Sequence, residues 1–439
     1  MQSQLFTIVL LGLGLLLFDQ YLLTGFVAAF KKKAWANKKG FKIGYNLFSV
    51  ILIIGTIASI YMNLPVGVRS GFLMIFFVLM IVKVTFLPFV LIDDIRRLIV
   101  KLKGKPTTPA TAVTGQAKNT IPRSEFLMKA GLITGAVPLA SIGYGIVAGA
   151  YDYHVRPQTL YLPNLPKAFD GLTIGQVSDI HSGSFYNKKA VLGGVEMLLG
   201  QKPDVIFFTG DLVNKRTNEV YGYQDIFSKI KAPLGVFSIL GNHDYGDYAD
   251  WASPAAKHKN LADLITTHKN MGYDLLLNEN RRLKVNGQEI GILGCENWGE
   301  LTRFPKYGKM EPTLKGTEDL PVKLLLSHDP SHWRAQILPN HKDIDVMFSG
   351  HTHGMQFGVR AEHFQWSPVE YVYKEWAGLY REGHQQLYVN VGYGFLGFPG
   401  RVGILPEITI FTLRSAPDPA LKSVNHHGAD ITFINEKTI

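Results

Sequence analysis

Four apolar runs, each long enough to cross a lipid bilayer, precede residue 151. They cover about residues 5–30, 43–61, 71–92 and 126–150, and a transmembrane helix needs about 20 apolar residues. The first run is too long for a secretory signal and lacks its cleavage pattern, so we expect it to be retained as a helix. The sequence therefore predicts a membrane domain with four transmembrane helices over residues 1–150 and a second domain over residues 151–439.

The excess of basic residues is confined to the membrane domain. Residues 1–150 hold 16 of the 45 Lys and Arg but only 4 of the 35 Asp and Glu, which leaves 29 basic and 31 acidic residues downstream. Because nucleic-acid-binding surfaces are strongly basic, we do not expect the second domain to bind DNA or RNA. The single cysteine, Cys295, excludes an intrachain disulfide and a cysteine-based zinc site.

Two basic loops predict the membrane topology. The loop between the first and second runs reads KKKAWANKKGFK. The loop between the third and fourth runs contains seven basic residues: Arg96, Arg97, Lys101, Lys103, Lys105, Lys118 and Arg123. By the positive-inside rule both loops are cytoplasmic, so we expect the second domain to lie outside the cytoplasm. Asp19 and Lys83 lie at similar depth in the first and third runs, which predicts an ion pair because charges inside a membrane tend to be paired.

Beyond residue 150, short apolar runs of strand length alternate with helical segments and turns, as in an α/β domain. Candidate metal ligands follow several of these runs, in VSDIH, FFTGD, SILGNHD, LLLSHD and FSGHTHG. The seven residues are Asp179, His181, Asp211, Asn242, His328, His351 and His353. Oxygen and imidazole ligands from several strand ends can converge on one rim of a sheet and bind divalent ions there. The pattern therefore predicts a hydrolase with two metal ions, in which the two oxygens of Asp211 can bridge the pair.

The ordered motifs DxH, GD, GNHD, H and GHxH resemble those of the calcineurin-like metallophosphoesterase family over about residues 170–412. The membrane-anchored bacterial branch is more similar still, since VSDIHSG, Arg401 and the Pro-Glu-Ile stretch at residues 406–408 also match it. The resemblance implies an α/β fold, a four-layer αββα sandwich with two metal ions at its rim, placed after the four transmembrane helices. It also implies an integral protein of the bacterial cytoplasmic membrane.

The same resemblance implies how the ligands are divided. One ion would take Asp179, His181 and His353, and the other would take Asn242, His328 and His351, while Asp211 bridges them. A hydroxide held between the ions would attack phosphorus, since metal binding lowers the pKa of water toward neutrality. Mixed imidazole and oxygen ligands suit manganese, iron or zinc. Manganese is the first expectation by resemblance, and iron and zinc remain open.

Three further residues have predicted roles at the reacting phosphate. His243 follows the candidate ligand Asn242 and is the candidate acid that stabilises the transferring group or protonates the leaving oxygen. Asp244 is expected to accept a hydrogen bond from the other ring nitrogen of His243 and fix its orientation. The planar guanidinium of Arg401 matches phosphate oxygens, and its position resembles that of a basic residue of the family, so we expect it to bind the substrate phosphate.

Substrate choice is expected to depend on the loops between the motifs. Residues 297–312 include Arg303 and Phe304, which suit a base, a sugar or an acyl chain beside a phosphate, although aromatic packing under a long loop is an equal alternative. The predicted function is hydrolysis of phosphodiester or pyrophosphate bonds, with a membrane lipid as the most economical substrate class. Hydrolysis of a soluble nucleotide or a phosphomonoester is the alternative within the enzyme class. A non-catalytic membrane receptor or scaffold is the alternative of another class, and the oligomeric state is left open.

Overall fold

The computed structural model describes residues 2–30, 33–62, 64, 66–103, 123–361 and 364–415. These residues form two compact units, Met1–Gly143 and Tyr144–Ile439. Lys31 and Lys32 of the first predicted cytoplasmic loop, and Lys105 and Lys118 of the second, lie outside the described residues. So do residues 416–439 of the predicted second domain.

The amino-terminal part of the chain is helical. Its helices are α1 (Gln2–Ala29), α2 (Ala34–Asn37), α3 (Lys39–Tyr61), α4 (Val66–Leu102) and α5 (Arg123–Val147). Four stretches are long and apolar enough to span a membrane: Leu10–Ala29, Lys39–Tyr61, Gly71–Leu102 and Glu125–Val147. The predicted number of spans is therefore confirmed. Helix α5, which forms the fourth span, ends at Val147, three residues before the predicted boundary at residue 150. Glycine is a poor helix former, and Gly149 begins a separate 3-10 turn, Gly149–Tyr151.

The predicted intramembrane ion pair is present in the first unit. Lys83 Nζ lies 2.7 Å from Asp19 Oδ1, and the Asp19 side chain is only 3% exposed. Helix α5 also packs closely on α4 in this region of the chain. A Cβ added at Gly131 of α5 would lie 2.8 Å from the Phe89 side chain of α4. Small residues allow such approach between membrane helices.

The second unit is built on two six-stranded sheets. Its strands are β1 (His154–Tyr161), β2 (Thr173–Val177), β3 (Val205–Phe208), β4 (Val236–Ser238), β5 (Asp274–Leu275), β6 (Glu279–Val285), β7 (Gln288–Gly294), β8 (Lys323–Leu326), β9 (Val346–Ser349), β10 (Val359–Arg360), β11 (Gln365–Trp366), β12 (Gly378–Glu382), β13 (Gln385–Val389) and β14 (Glu407–Arg414). The strand order is β1-β14-β2-β3-β4-β5 in the first sheet and β12-β13-β9-β8-β7-β6 in the second, and β10 and β11 form a separate hairpin. The helices are α6 (Lys188–Gly200), α7 (Gln224–Phe227), α8 (Pro254–Met271), α9 (Met310–Leu314) and α10 (Leu338–Asn340).

Three apolar cores separate four layers. Between the sheets, fully buried Ile174 and Phe207 of the first sheet share one core with Leu324 and Phe348 of the second. On the outer face of the first sheet, α6 and α8 contribute to a core that includes Val195 and Leu264. On the outer face of the second sheet, Trp333 and Ile337 pack with Leu325 and Met347. Layers of helix, sheet, sheet and helix are thus observed, as the family resemblance implied.

The parallel strands at the centre of each sheet determine where the candidate ligands lie. Strands β2, β3 and β4 are parallel neighbours in the first sheet, and β7, β8 and β9 are parallel neighbours in the second. Chain segments that follow parallel strands emerge at the same edge of a sheet, where α/β proteins bind ligands. Each of the five motifs follows the carboxyl end of β2, β3, β4, β8 or β9.

Candidate metal centre

Three of the predicted ligands form a first buried group. Asp179, His181 and His353 each offer a ligand atom within 4.8 Å of the others. The Nε2 atoms of His181 and His353 are 3.0 Å apart, and His353 Nε2 is 3.2 Å from Asp179 Oδ1. Metal–nitrogen bonds of about 2.1 Å at right angles place neighbouring ligand atoms about 3 Å apart. The spacing of these atoms therefore fits one bound cation.

A second group contains Asp179, Asp211 and His328, whose ligand atoms also lie within 4.8 Å of one another. Asp211 Oδ2 lies 3.2 Å from His328 Nε2 and 3.5 Å from His181 Nε2, so it faces both groups. Among the described residues, the buried His328 Nε2 has no hydrogen-bond partner. An unpaired buried nitrogen directed at a carboxylate suits a cation bound between them. Asp211 Oδ2 therefore lies between His328 of this group and His181 of the first group, as a bridging ligand requires.

Asn242 and His351 lie against each other at the side of the second group. His351 Nδ1 is 2.8 Å from Asn242 Oδ1, and the ring of His351 packs edge-to-face on that of His328 at 5.2 Å. Two tyrosines hold the pair in place. Tyr373 Oη lies 2.8 Å from His351 Nε2, and Asn242 Nδ2 donates to Tyr248 Oη at 2.9 Å. The structure therefore brings all seven predicted ligands together at one rim.

The ligand loops have an unusual backbone. Five of the seven candidate ligands have positive φ values: Asp179 (51°), His181 (49°), Asp211 (60°), His351 (72°) and His353 (52°). Such left-handed conformations are uncommon for residues other than glycine and concentrate at functional sites. The glycines of the motifs allow the loops to approach, since a Cβ at Gly241 would lie 2.2 Å from Asp211 Oδ1. A Cβ at Gly350 would lie 2.1 Å from Asp179 Oδ2.

The charges of the site favour a bound cation. Burial acts to raise the pKa of Asp179 and Asp211, but nearby histidines, His353 and His328 foremost, outweigh it and hold both pKa values well below their ordinary range. Burial opposes protonation of His328, yet the charge of Asp211 raises the pKa of His328 to about 10. Two buried carboxylates thus attract positive charge to this point of the site. Burial lowers the pKa of His181, which favours the neutral imidazole that binds metals.

The surroundings of His243 and Asp244 differ from the predicted arrangement. His243 Nδ1 lies 2.7 Å from the carbonyl oxygen of Asn214, not against Asp244. The fully buried Asp244 carboxylate instead accepts hydrogen bonds from four backbone N–H groups, those of Asp211, Leu212, Val213 and Gly241. The carboxylate turns away from the ring because these four donors converge on it. Asp244 therefore shapes the loop that carries Asp211, and the Asn214 carbonyl orients His243.

Arg401 also lies in a different environment from the expected one. Its side chain is fully buried, and its guanidinium donates to the carbonyl oxygens of Gly394 at 2.8 Å and Val391 at 2.8 Å. Nη2 of Arg401 is 3.2 Å from Nδ1 of His353, whereas Nε2 of the same ring faces Asp179 and His181. The carbonyl oxygens and His353 occupy the edges of the guanidinium group to which a phosphate would bind. The contacts of Arg401 therefore position His353 and the loop of residues 391–404.

Asn214 and Tyr248 at the site were not singled out from the sequence, whereas Arg303 and Phe304 were. Asn214 Oδ1 contacts His181 Nδ1 at 3.1 Å, so this residue supports both His181 and His243. Phe304 packs edge-to-face on His351 at 4.6 Å, and Arg303 lies over the Phe304 ring at 4.7 Å. Asn214 lies three residues after the ligand Asp211, which is the signal that could have identified it.

Two family models match the chain. One, described as probable calcineurin-like phosphoesterase, transmembrane domain, matches residues 3–150, and the other, calcineurin-like phosphoesterase, matches residues 172–355. The chain is 30% identical over 304 residues to the uncharacterized metallophosphoesterase YkuE of Bacillus subtilis (strain 168), covering 67% of this chain and 98% of that protein. It is 29% identical over 283 residues to the transmembrane protein with metallophosphoesterase domain of Danio rerio, covering 62% of this chain and 60% of that protein. The chain therefore belongs to the calcineurin-like metallophosphoesterase family and is a hydrolase with a membrane-spanning amino-terminal domain.

Proposed function

We propose that the protein hydrolyses phosphodiester or pyrophosphate bonds of a membrane lipid, with its catalytic domain outside the cytoplasm of a bacterial cell. The observation that carries the hydrolytic part is the position of the Asp211 carboxylate between two groups of buried imidazole and oxygen donors. The four spans support the lipid part, because they keep the catalytic unit attached to a bilayer. The basic loops of the sequence support the topology.

In this proposal Asp179, His181 and His353 hold one divalent ion, and Asn242, His328 and His351 hold the other, with Asp211 shared. When bound, two such ions lower the pKa of water and neutralise the charge of the phosphoryl group. The ligand set suits manganese, iron or zinc, and manganese is the proposed metal. Tyr373 and Tyr248 keep His351 and Asn242 in their binding orientations through the contacts described above.

His243 is the proposed acid. A carbonyl oxygen can only accept a hydrogen bond, so the contact with Asn214 places a proton on Nδ1 of His243. Nε2 is then the atom that carries the second proton of the imidazolium and donates it to the leaving oxygen. The ring of His243 lies 5.0 Å from that of His181, beside the first group of ligands. The proton donor is therefore next to the point where the phosphoryl group would bind.

Arg303 is the proposed contact for the substrate phosphate, in place of the buried Arg401. The side chain of Arg303 is exposed and lies over Phe304, which packs on His351. Its charge reaches the site, because Arg303 opposes the rise that burial causes in the pKa of Tyr373 and Tyr248. A cation on this side of the site suits a second phosphate group or the charged part of a lipid headgroup.

Full-length protein purified in detergent tests the proposal. Hydrolysis of a phosphodiester, a phosphomonoester, a soluble nucleotide and a lipid with a pyrophosphate headgroup would be compared with and without Mn²⁺. We expect metal-dependent hydrolysis of the diester or the lipid, lost in Asp211→Ala and retained in Asp225→Ala, which changes an exposed aspartate. Turnover of the monoester or nucleotide alone would reject the lipid assignment. Equal activity of wild type and Asp211→Ala would reject the metal centre.

A further inference from the structure

The β10–β11 hairpin presents an apolar face to solvent. Side chains alternate along a strand, so Phe357 and Val359 lie on one face. Val359 is paired with Trp366, and Phe364 precedes Trp366 by two residues, which places these side chains on the same face. Phe357, Val359 and Phe364 are 40%, 48% and 61% exposed. We call the four residues Phe357, Val359, Phe364 and Trp366 the hairpin face.

The opposite side of the hairpin is fixed to the catalytic unit. Arg360 forms an ion pair with the buried Glu407, and Glu407 begins β14 of the first sheet. The N–H of Gly358 donates to the Val402 carbonyl at 2.9 Å. Because these contacts determine which side of the hairpin points inward, the hairpin face cannot turn toward the core. Its exposure is therefore built into the fold.

The hairpin lies beside the end of the fourth span. Its neighbour Val402 would be 2.6 Å from a Cβ added at Gly145, and Arg401 N–H donates to the Gly145 carbonyl at 3.1 Å. Gly145 belongs to the same compact unit as the hairpin and to the last turn of the span Glu125–Val147. The edge of the hairpin at Phe357 and Gly358 is thus close to the carboxyl end of that span.

Aromatic residues at the same point indicate the level of the membrane surface. Tyr144 and Tyr186 are 64% and 59% exposed, and Tyr186 Oη donates to the Ile146 carbonyl at 2.9 Å. Tyrosine and tryptophan are enriched where membrane helices meet the lipid headgroups. An exposed apolar surface in continuity with such a point fits the headgroup region of a bilayer.

We propose that the hairpin face contacts the lipid surface and anchors the catalytic unit there, in addition to the helical spans. The hairpin is also joined to the loop of residues 391–404 beside the metal centre. The hairpin follows the ligand His353 closely in sequence, and Gln356, between them, donates to the carbonyls of Phe398 and Gly400 at 2.9 and 3.0 Å. The inference goes beyond the proposed reaction, because the face would bind lipid whether the substrate is a lipid or a soluble molecule.

Site-specific fluorescence quenching tests this inference. Phe364→Cys and, independently, Val359→Cys would be labelled with an environment-sensitive thiol-reactive dye in the full-length protein. The protein would be reconstituted into vesicles of phosphatidylethanolamine and phosphatidylglycerol that contain a lipid-borne quencher. Lys284→Cys is the matched control, because Lys284 is an exposed residue of another hairpin, β6–β7. The native Cys295 is fully buried, and unsubstituted protein gives the background labelling.

We expect the quencher to remove most of the dye emission at Phe364 and Val359 and little of it at Lys284. Variants that keep the thermal unfolding midpoint of the wild type are the ones compared, and having two hairpin positions guards against the failure of one. Equal quenching at the hairpin face and at Lys284 would overturn the proposal. Shielding that depends on the protein-to-lipid ratio, without quenching by lipid, would assign the face to a second copy and would also overturn it.

Discussion

Replacing Asp244 by asparagine separates a structural role of this residue from a role in orienting His243. The carboxylate accepts four buried backbone hydrogen bonds, two at each oxygen. Asparagine retains one acceptor oxygen, so two N–H groups lose their partner. At about 1–3 kcal/mol for each buried N–H group left without a partner, the expected loss is about 2–6 kcal/mol. That is a large part of a typical folding stability of about 5–15 kcal/mol.

The assay is thermal unfolding of the full-length protein in detergent, together with its bound-metal content. We expect the unfolding midpoint of the catalytic unit to fall by on the order of 10 °C, and metal content to fall because the loop carrying Asp211 loses its support. Asp225→Asn, at an exposed position, is the matched control and should leave both quantities unchanged. An unchanged midpoint in Asp244→Asn, with a loss of activity alone, would refute this reasoning and restore the predicted role beside His243.

Three further predictions concern the proton donor, substrate binding and the stability of the protein at acid pH. His243→Ala should lower kcat by about 10²–10⁴-fold while metal content, measured by elemental analysis, stays the same; a loss of metal would instead make His243 a ligand. Arg303→Gln should raise KM by about tenfold for a substrate with two phosphate groups, and an unchanged KM would remove Arg303 from the substrate site. Burial lowers the pKa of His268 to about 3, below its value of 6.5 in the unfolded chain. Below pH 6.5 the unfolded chain binds a proton at this histidine and the folded protein does not, so the free energy of unfolding falls as the pH is lowered. At pH 5 we expect it to be about 2 kcal/mol lower than at neutral pH. His268→Phe should reduce this acid sensitivity in thermal unfolding, and an identical pH dependence would contradict the assignment.

The grouping of the candidate ligands could be predicted from the sequence because each one follows a parallel strand. A short buried strand such as VIFF at β3 is recognisable as an apolar run, and the residues after it must emerge at the rim. The order of the motifs along the chain therefore carries most of the information about the centre. The membrane helices were predictable for a similar reason, since their length and composition are set by the bilayer.

Strand β1 illustrates what local patterns do not predict. Its sequence, HVRPQTLY, contains Pro157 and mixes polar and apolar residues, so it does not read as a strand. It is nevertheless an edge strand, paired in parallel with β14 over its whole length. Proline is tolerated at such an edge, where one side of the strand needs no partner. The pairing joins residues more than 250 positions apart, which no short window of sequence contains.

The directions of supporting side chains were the least predictable part of the site. Asp244 is adjacent to His243 in the chain, yet the four N–H groups it accepts belong mainly to the loop after β3. The family resemblance predicted that Arg401 binds the substrate phosphate, yet its guanidinium donates to backbone carbonyl oxygens. Both outcomes depend on how separate loops pack, and residue type alone does not determine that packing.

The seven candidate ligands are divided between the two sheets. Asp179, His181, Asp211 and Asn242 follow strands of the first sheet, whereas His328, His351 and His353 follow strands of the second. In the proposed metal centre each ion takes ligands from both sheets, so the two sites are complete only when the sheets have packed together. Loss of packing between the two sheets would therefore separate the ligands of both proposed ions at once.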